Sequence, residues 1–313
     1  MPLDRFPVIC LMGPTASGKT EVAIELSQHF PLDLVSVDSA LVYRGMDIGT
    51  AKPEPAVLER FPHALVDIID PEEMYSAGEF IRDAEREIDR IHDLGRIPLL
   101  VGGTMLYFRS LVNGMADLPA AADDVRAAID REAEEIGWPA MHAQLAKVDP
   151  ETAGRLNPND SQRIQRALEV YRVSDRTLSD WHRTTPAPRD DYQFLKFALI
   201  PEPRAELHAR IEKRLDAMLD QDFVAEVARL RTREKLTSAH PSMRAVGYRQ
   251  VWAHLDGECD FAEARERALA ATRQLAKRQI TWLRSESDLV AFNPLETDPV
   301  STIYSHLKDR LKA

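Results

Sequence analysis

The chain has 313 residues, 44% hydrophobic and 29% charged, a balance usual for a globular protein and room for one large domain or two modest ones. A formal net charge of −11 excludes nucleic-acid binding by bulk charge, yet the basic residues gather locally: residues 155–189 hold seven Arg/Lys against four Asp/Glu, and residues 244–284 eight against five. Two cysteines far apart, Cys10 and Cys259, exclude a zinc finger and argue against a disulfide framework, and no apolar stretch nears the ~20 residues of a membrane span. The amino-terminal MPLDRF lacks the pattern of a signal sequence, so a cytoplasmic protein without membrane attachment is expected. Cys10, inside an apolar run, reads as a small core residue.

In chain order, residues 7–12 (PVICLM) form a short apolar run that stops at a glycine, the pattern of a buried strand. Gly13, Pro14, Thr15, Ala16, Ser17, Gly18, Lys19 and Thr20 then spell GPTASGKT, which fits G-x-x-x-x-G-K-[ST], and a helical period follows over 19–30. The residue types suit a phosphate chain. Glycines let backbone N–H groups turn toward phosphate oxygens, and the helix amino terminus adds partial positive charge. Lys19 bridges phosphate oxygens, and the Thr20 hydroxyl is a natural Mg²⁺ ligand. The loop by itself does not separate ATP from a prenyl diphosphate.

A second strand is expected at 34–38 and a third at 64–69. Asp38 ends the second, where open α/β sheets place their ligand crevice. There it serves as a base, holds a metal through water, or simply caps the following turn. Residues 76–92 show a helical period opened by a Ser76–Glu79 capping box. Another strand, 97–101, ends at Gly102-Gly103-Thr104, and the Thr104 hydroxyl either meets a ligand in the same crevice or caps the next helix. Strands alternating with helices indicate a parallel sheet covered on both faces.

From 119 to 186 the pattern is helical with no convincing strand, and a proline-bearing connection closes it. The chain therefore divides into 1–118 (first part of an α/β core), 119–186 (a helical insertion) and 187–313 (the rest of the core with carboxy-terminal helices). Asp160 caps a helix from which Gln162, Arg163 and Arg166 project, suited to phosphate or base-edge contacts or to a solvated basic face. A strand is expected at 194–200 and another at 289–292. Between them Arg273, Lys277 and Arg284 fall within a ~40° arc of one helix, able to follow an RNA backbone or merely solvated.

The wording of several segments resembles the bacterial tRNA dimethylallyltransferases (isopentenyl-tRNA transferases). They are GPTASGKT at Gly13, SVDSALVYRGMDIGTAKP at 36–53, PLLVGGTMLYF at 98–108, NDSQRIQRALEVY from Asn159, LHARIEKRLDAML from Leu207, RAVGYRQ from Arg244 and TRQLAKRQITWLR from Thr272. They span nearly the whole chain in the family's order. The resemblance implies a nucleoside-kinase-like P-loop core with an inserted helical domain. It also implies transfer of a dimethylallyl group from dimethylallyl diphosphate to N6 of the adenosine 3′ of the anticodon, position 37, flipped out of its stack. By matching position, Asp38 is the general base and Thr104 lies between acceptor and diphosphate. The loop from Thr15 to Thr20 holds the diphosphate with Mg²⁺, helped by Arg210 or Arg214. The implied tRNA contacts are Asp38, Ser39, Ala40 and Leu41; Arg126; Gln162, Arg163, Ile164, Gln165 and Arg166; and Arg244, Ala245, Val246, Gly247, Tyr248 and Arg249. The expected partners are tRNA and dimethylallyl diphosphate, and the expected state a monomer. Rival readings are a prenyltransferase of free adenine nucleotides, an ATP-dependent small-molecule kinase, and a non-catalytic RNA-binding adaptor.

Overall fold

Apolar runs bounded by glycine or a charged turn build the strands, and amphipathic stretches between them build the helices. The structure, a computed structural model, describes residues 6–185 and 189–311, with side chains described to residue 308. In chain order the elements are β1 (Phe6–Met12), α1 (Lys19–His29), β2 (Leu32–Val37), α2 (Pro55–Arg60), β3 (His63–Ala64), α3 (Ala77–Asp93), β4 (Ile97–Gly102) and α4 (Met105–Asn113). Five helices follow: α5 (Asp123–Ile136), α6 (Trp138–Val148), α7 (Pro150–Arg155), α8 (Ser161–Ser174) and α9 (Leu178–Arg183). The chain then returns through β5 (Tyr192–Leu199), α10 (Arg204–Asp220), α11 (Phe223–Arg231), α12 (Tyr248–Leu255), α13 (Phe261–Leu283), β6 (Leu289–Phe292) and α14 (Pro299–Leu311).

Two compact units result, one of Met1–Val112 with Asp190–Ala313 and one of Asn113–Arg189. In the larger unit the six strands form one parallel sheet in the order β3-β2-β4-β1-β5-β6. Alternation along β1 explains why it is apolar throughout. Val8, Cys10 and Met12 point to the face covered by Phe80, Ala84, Ile88 and Ile91 of α3, while Ile9 and Leu11 point to Ala23 and Leu26 of α1 and Ile303 of α14. Both faces are thus dry, and Cys10 is a buried core residue whose thiol burial pushes up to about 12. Ser76 caps α3 with the expected capping box: its hydroxyl accepts from Glu79 N and the Glu79 carboxylate accepts from Ser76 N.

The expected third strand, 64–69, shrinks to His63–Ala64. Leu65 and Asp67 take positive φ (64° and 56°), which breaks the pleat, and the Asp67 carboxylate accepts from Lys52 Nζ at 2.5 Å instead. Only Ile69 regains a bridge, to Tyr43.

Among its described residues the smaller unit holds helices joined by loops and no strand. Its core is Ile129 and Ala133 of α5, Met141 and Leu145 of α6, Ala153 of α7, and Ile164, Ala167 and Leu168 of α8. Residues 186–188 of the proline-bearing connection, with the expected boundary there, lie outside the described residues.

Candidate active site

Three adjacent strands of the larger unit, β2, β4 and β1, deliver their carboxyl ends to one place. After β1 the phosphate loop turns through left-handed backbone at Ala16 (φ 62°) and Gly18 (φ 89°) before Lys19 opens α1. Gly13 has no room for a side chain: a Cβ there would stand 2.6 Å from Ser17 Oγ and 3.0 Å from the Leu199 carbonyl. The loop is braced by Ser17 N donating to Pro14 O at 3.3 Å, and Lys19 Nζ bends back to the same carbonyl at 3.3 Å.

Asp38 follows β2 directly. Its Oδ1 accepts from Ala40 N at 2.9 Å and from Leu41 N at 3.4 Å, so the turn-capping role is real, but it uses one oxygen only. Oδ2 has no hydrogen-bond partner among the described residues. Thr104 follows β4 and the glycine pair. Its hydroxyl accepts from Ser39 N at 3.0 Å and lies 3.4 Å from Ser39 Oγ, tying the β4 turn to the residue beside Asp38 rather than capping α4. A Cβ on Gly102 would fall 2.0 Å from the Val37 carbonyl, and one on Gly103 would fall 2.4 Å from Gln279 Nε2. The two glycines are therefore demanded by close approach.

These ends line a cavity of about 510 Å³ that contains Thr15, Ala16, Lys19, Thr20, Asp38, Ser39, Ala40, Leu41 and Thr104. Arg214 of α10 also lines it, half-buried, reaching Thr15 Oγ1 and the Thr50 carbonyl only at 3.5 Å each, so among the described residues most of its donors are uncommitted. Arg210, one helical turn earlier, is exposed and outside the cavity wall, which corrects its assignment to the site. Burial lowers the Lys19 ammonium to about 8; Asp38 opposes that shift and Arg214 adds to it. Burial likewise lowers Arg214, against the pull of Asp38 and Glu21. Two cations facing one carboxylate leave the cavity short of negative charge.

Arg244, Ala245, Val246, Gly247 and Tyr248 line the same cavity, whereas Arg249 is exposed beyond it. Tyr248 is fully buried, and its hydroxyl donates to Glu226 Oε1 at 2.5 Å, so its side chain is structural rather than a free contact. Several residues of the site carry no motif. Glu226, 2% exposed, accepts from three successive amides, Asp47 N, Ile48 N and Gly49 N, at 3.0, 2.7 and 3.1 Å. That carboxylate shapes the loop of the DIGTAKP stretch, and Lys52 within it is pinned by Asp47, Asp67 and the Tyr43 carbonyl. Gln279 and Arg278 of α13 also line the cavity; only their place in a quoted segment pointed to them.

In the smaller unit the expected RNA residues separate. Gln162 and Arg163 are exposed, the latter held loosely by Asp160 at 2.8 Å. Ile164 is fully buried in the helical core, which corrects its place among the contacts. Gln165 donates to Asp130 at 2.6 Å. Arg166 and Arg126 both pair with Glu169, at 2.7 and 2.9 Å, and Glu169 is wholly buried. Burial would raise that carboxyl, but hydrogen bonds from Arg166 and Ala122 N and the charge of both arginines hold it below its ordinary value. The two arginines are thus counterions first. The stripe on α13 is similarly occupied: Arg273 pairs with Glu212 at 2.9 Å and Arg284 with Glu202 at 3.0 Å, while Lys277 is exposed.

The family model described as IPP transferase matches residues 41–286. The chain is 54% identical over 302 residues to a tRNA dimethylallyltransferase of Cupriavidus taiwanensis, covering 95% of this chain and 94% of the relative. It is 53% identical over 305 residues to a tRNA dimethylallyltransferase of Thioalkalivibrio sulfidiphilus, covering 96% and 95%. Among solved structures it is similar to the full-length tRNA isopentenylpyrophosphate transferase of Bacillus halodurans, with a TM-score of 0.71, 32% identity, and coverage of 98% and 97%. A eukaryotic dimethylallyltransferase acting on tRNA superposes with a TM-score of 0.78 at 25% identity, covering 97% of this chain and 80% of that one.

Proposed function

The chain belongs to the IPP transferase family, and from that premise we propose that it transfers a dimethylallyl group from dimethylallyl diphosphate to N6 of adenosine 37 in tRNA. The observation that carries this reading is the convergence of the phosphate loop, Asp38 and Thr104 from three neighbouring strand ends on one cavity. In the step itself the N6 lone pair forms a bond to the allylic carbon while the carbon–oxygen bond to diphosphate breaks, and the leaving group takes that electron pair. Asp38 Oδ2, the oxygen not spent on its own turn, accepts the proton released from N6. Lys19, Arg214 and the amides opening α1 face the charge that grows on diphosphate, in a cavity whose cations outnumber its carboxylates. Thr104, held at Ser39, orients the turn that carries the base.

Mg²⁺ fits the donors here. Ser36 Oγ is buried without a hydrogen-bond partner among the described residues, and it lines the cavity with the Thr20 hydroxyl and Asp38, all hard oxygen donors. Bound there with the diphosphate, the ion would supply charge neutralisation to the leaving group. A test is single-turnover transfer to tRNA by Asp38→Asn, which keeps an oxygen for the Ala40 amide. The rate should fall by about 10²- to 10⁴-fold. A rate near wild type would remove Asp38 as the base.

A further inference from the structure

The phosphate loop and the glycine turn after β4 touch through one side chain that comes from neither. Gln279 lies in α13, 9% exposed, and commits both ends of its amide: Oε1 accepts from Thr15 N at 3.0 Å and Nε2 donates to the Gly103 carbonyl at 2.8 Å. The fit is tight, since a Cβ on Gly103 would also stand 3.2 Å from the Gly13 carbonyl. Its neighbours Ala276 and Ile280 pack against Leu207, Ile211 and Leu215 of α10, the helix that brings Arg214, so the base of the clamp is rigid. On the far side the same turn continues to Thr104, whose hydroxyl holds Ser39 N next to Asp38. An unbroken connection therefore runs from the leaving-group loop to the base.

We infer that Gln279 is a positioning residue that sets the separation between the diphosphate loop and the turn carrying the acceptor-side groups. The inference rests on the transfer reading above. The Thr15 amide belongs to this clamp and not to the phosphate cradle, so losing Gln279 leaves Lys19, Arg214 and the later loop amides to bind diphosphate. What it loses is the register between donor and acceptor, and misplacement by ~1 Å costs about a hundredfold in rate.

The experiment compares wild type with Gln279→Met, which keeps the shape without hydrogen bonds, and Gln279→Glu, which keeps the acceptor for Thr15 N–H but has no donor for Gly103. Both should lose ten- to a hundredfold, roughly, in kcat for tRNA prenylation, with KM for dimethylallyl diphosphate within about threefold. Amide hydrogen exchange is followed in parallel at Thr15 and Thr104, the latter bonded to the Val37 carbonyl at 3.2 Å. In Gln279→Met exchange should quicken at both ends together. Turnover close to wild type in Gln279→Met, a KM rise that matches the whole loss, or quickened exchange at Thr15 alone would each overturn the clamp. A wild-type protein that prenylates nothing would sink the transfer reading, and the exchange result would still decide the clamp.

Discussion

Lys19 holds its proton only loosely, because burial works against its charge and Arg214 reinforces that effect while Asp38 resists it. With its ammonium lowered to about 8, the free protein loses this cation as pH rises through that value. A bound diphosphate restores the charge, so binding takes up a proton in the window above about 8. Affinity for inorganic diphosphate, measured by calorimetry at pH ~7 and pH ~9.5, should therefore weaken at the higher pH in wild type. Lys19→Arg, whose guanidinium does not titrate there, reports only the ionisation of diphosphate itself, so wild type should lose affinity relative to it at the higher pH; equal pH dependence in both proteins would locate the effect elsewhere. At this scale much of the site was legible. Lys19 stands out by the spacing of its loop, whereas Asp38 and Thr104 stand out only by their place after short apolar runs, where a capping role reads equally well. Gln279 does not, since its partners lie 264 and 176 positions away and nothing local marks it. Nor does helical spacing separate Arg210 from Arg214, which share a face one turn apart.

Loops between elements depend on carboxylates that arrive from distant helices. Glu226 of α11 gathers the amides of Asp47, Ile48 and Gly49 and the Tyr248 hydroxyl, and Gly49 is wedged where a Cβ would meet Phe223 at 2.1 Å. Removing that carboxylate leaves four donors without an acceptor in a dry site, a loss of roughly 3 kcal/mol or more. Glu226→Ala should thus shift urea unfolding by that amount, with Glu226→Gln in between. A shift under about 1 kcal/mol would show that the loop finds other partners. The run DIGTAKP identifies a family but does not disclose its anchor, which sits 177 to 179 residues further on. The long buried strands were legible from continuous apolar runs, whereas 64–69 also looks apolar and only its first residue, Ala64, lies in the short strand His63–Ala64. There Lys52 and Asp67 impose a turn that hydropathy does not register.

Across the whole molecule, a chain of net charge −11 is asked to hold an anionic polymer, so a few placed cations must carry the affinity. In the smaller unit the exposed pair Gln162 and Arg163 are the accessible candidates, because Arg126 and Arg166 neutralise buried Glu169. Gln162→Ala with Arg163→Ala should weaken tRNA binding and flatten its dependence on salt by about one unit of slope, read by filter binding across a salt series. An unchanged slope would remove this helix from the RNA interface. The helices between Asp123 and Arg183 were legible from the absence of any strand pattern. The division of labour among its arginines was not, because a glutamate three positions after Arg166 looks like a surface ion pair until its burial is seen.

The most direct measurement of the central claim is incubation of the purified protein with labelled dimethylallyl diphosphate, Mg²⁺ and total bacterial tRNA, beside tubes holding AMP or ATP in place of tRNA. Label is expected in tRNA alone, carried on the N6 of one adenosine after nuclease digestion. Label in the free nucleotides, or ATP consumed with no prenyl transfer at all, would contradict it.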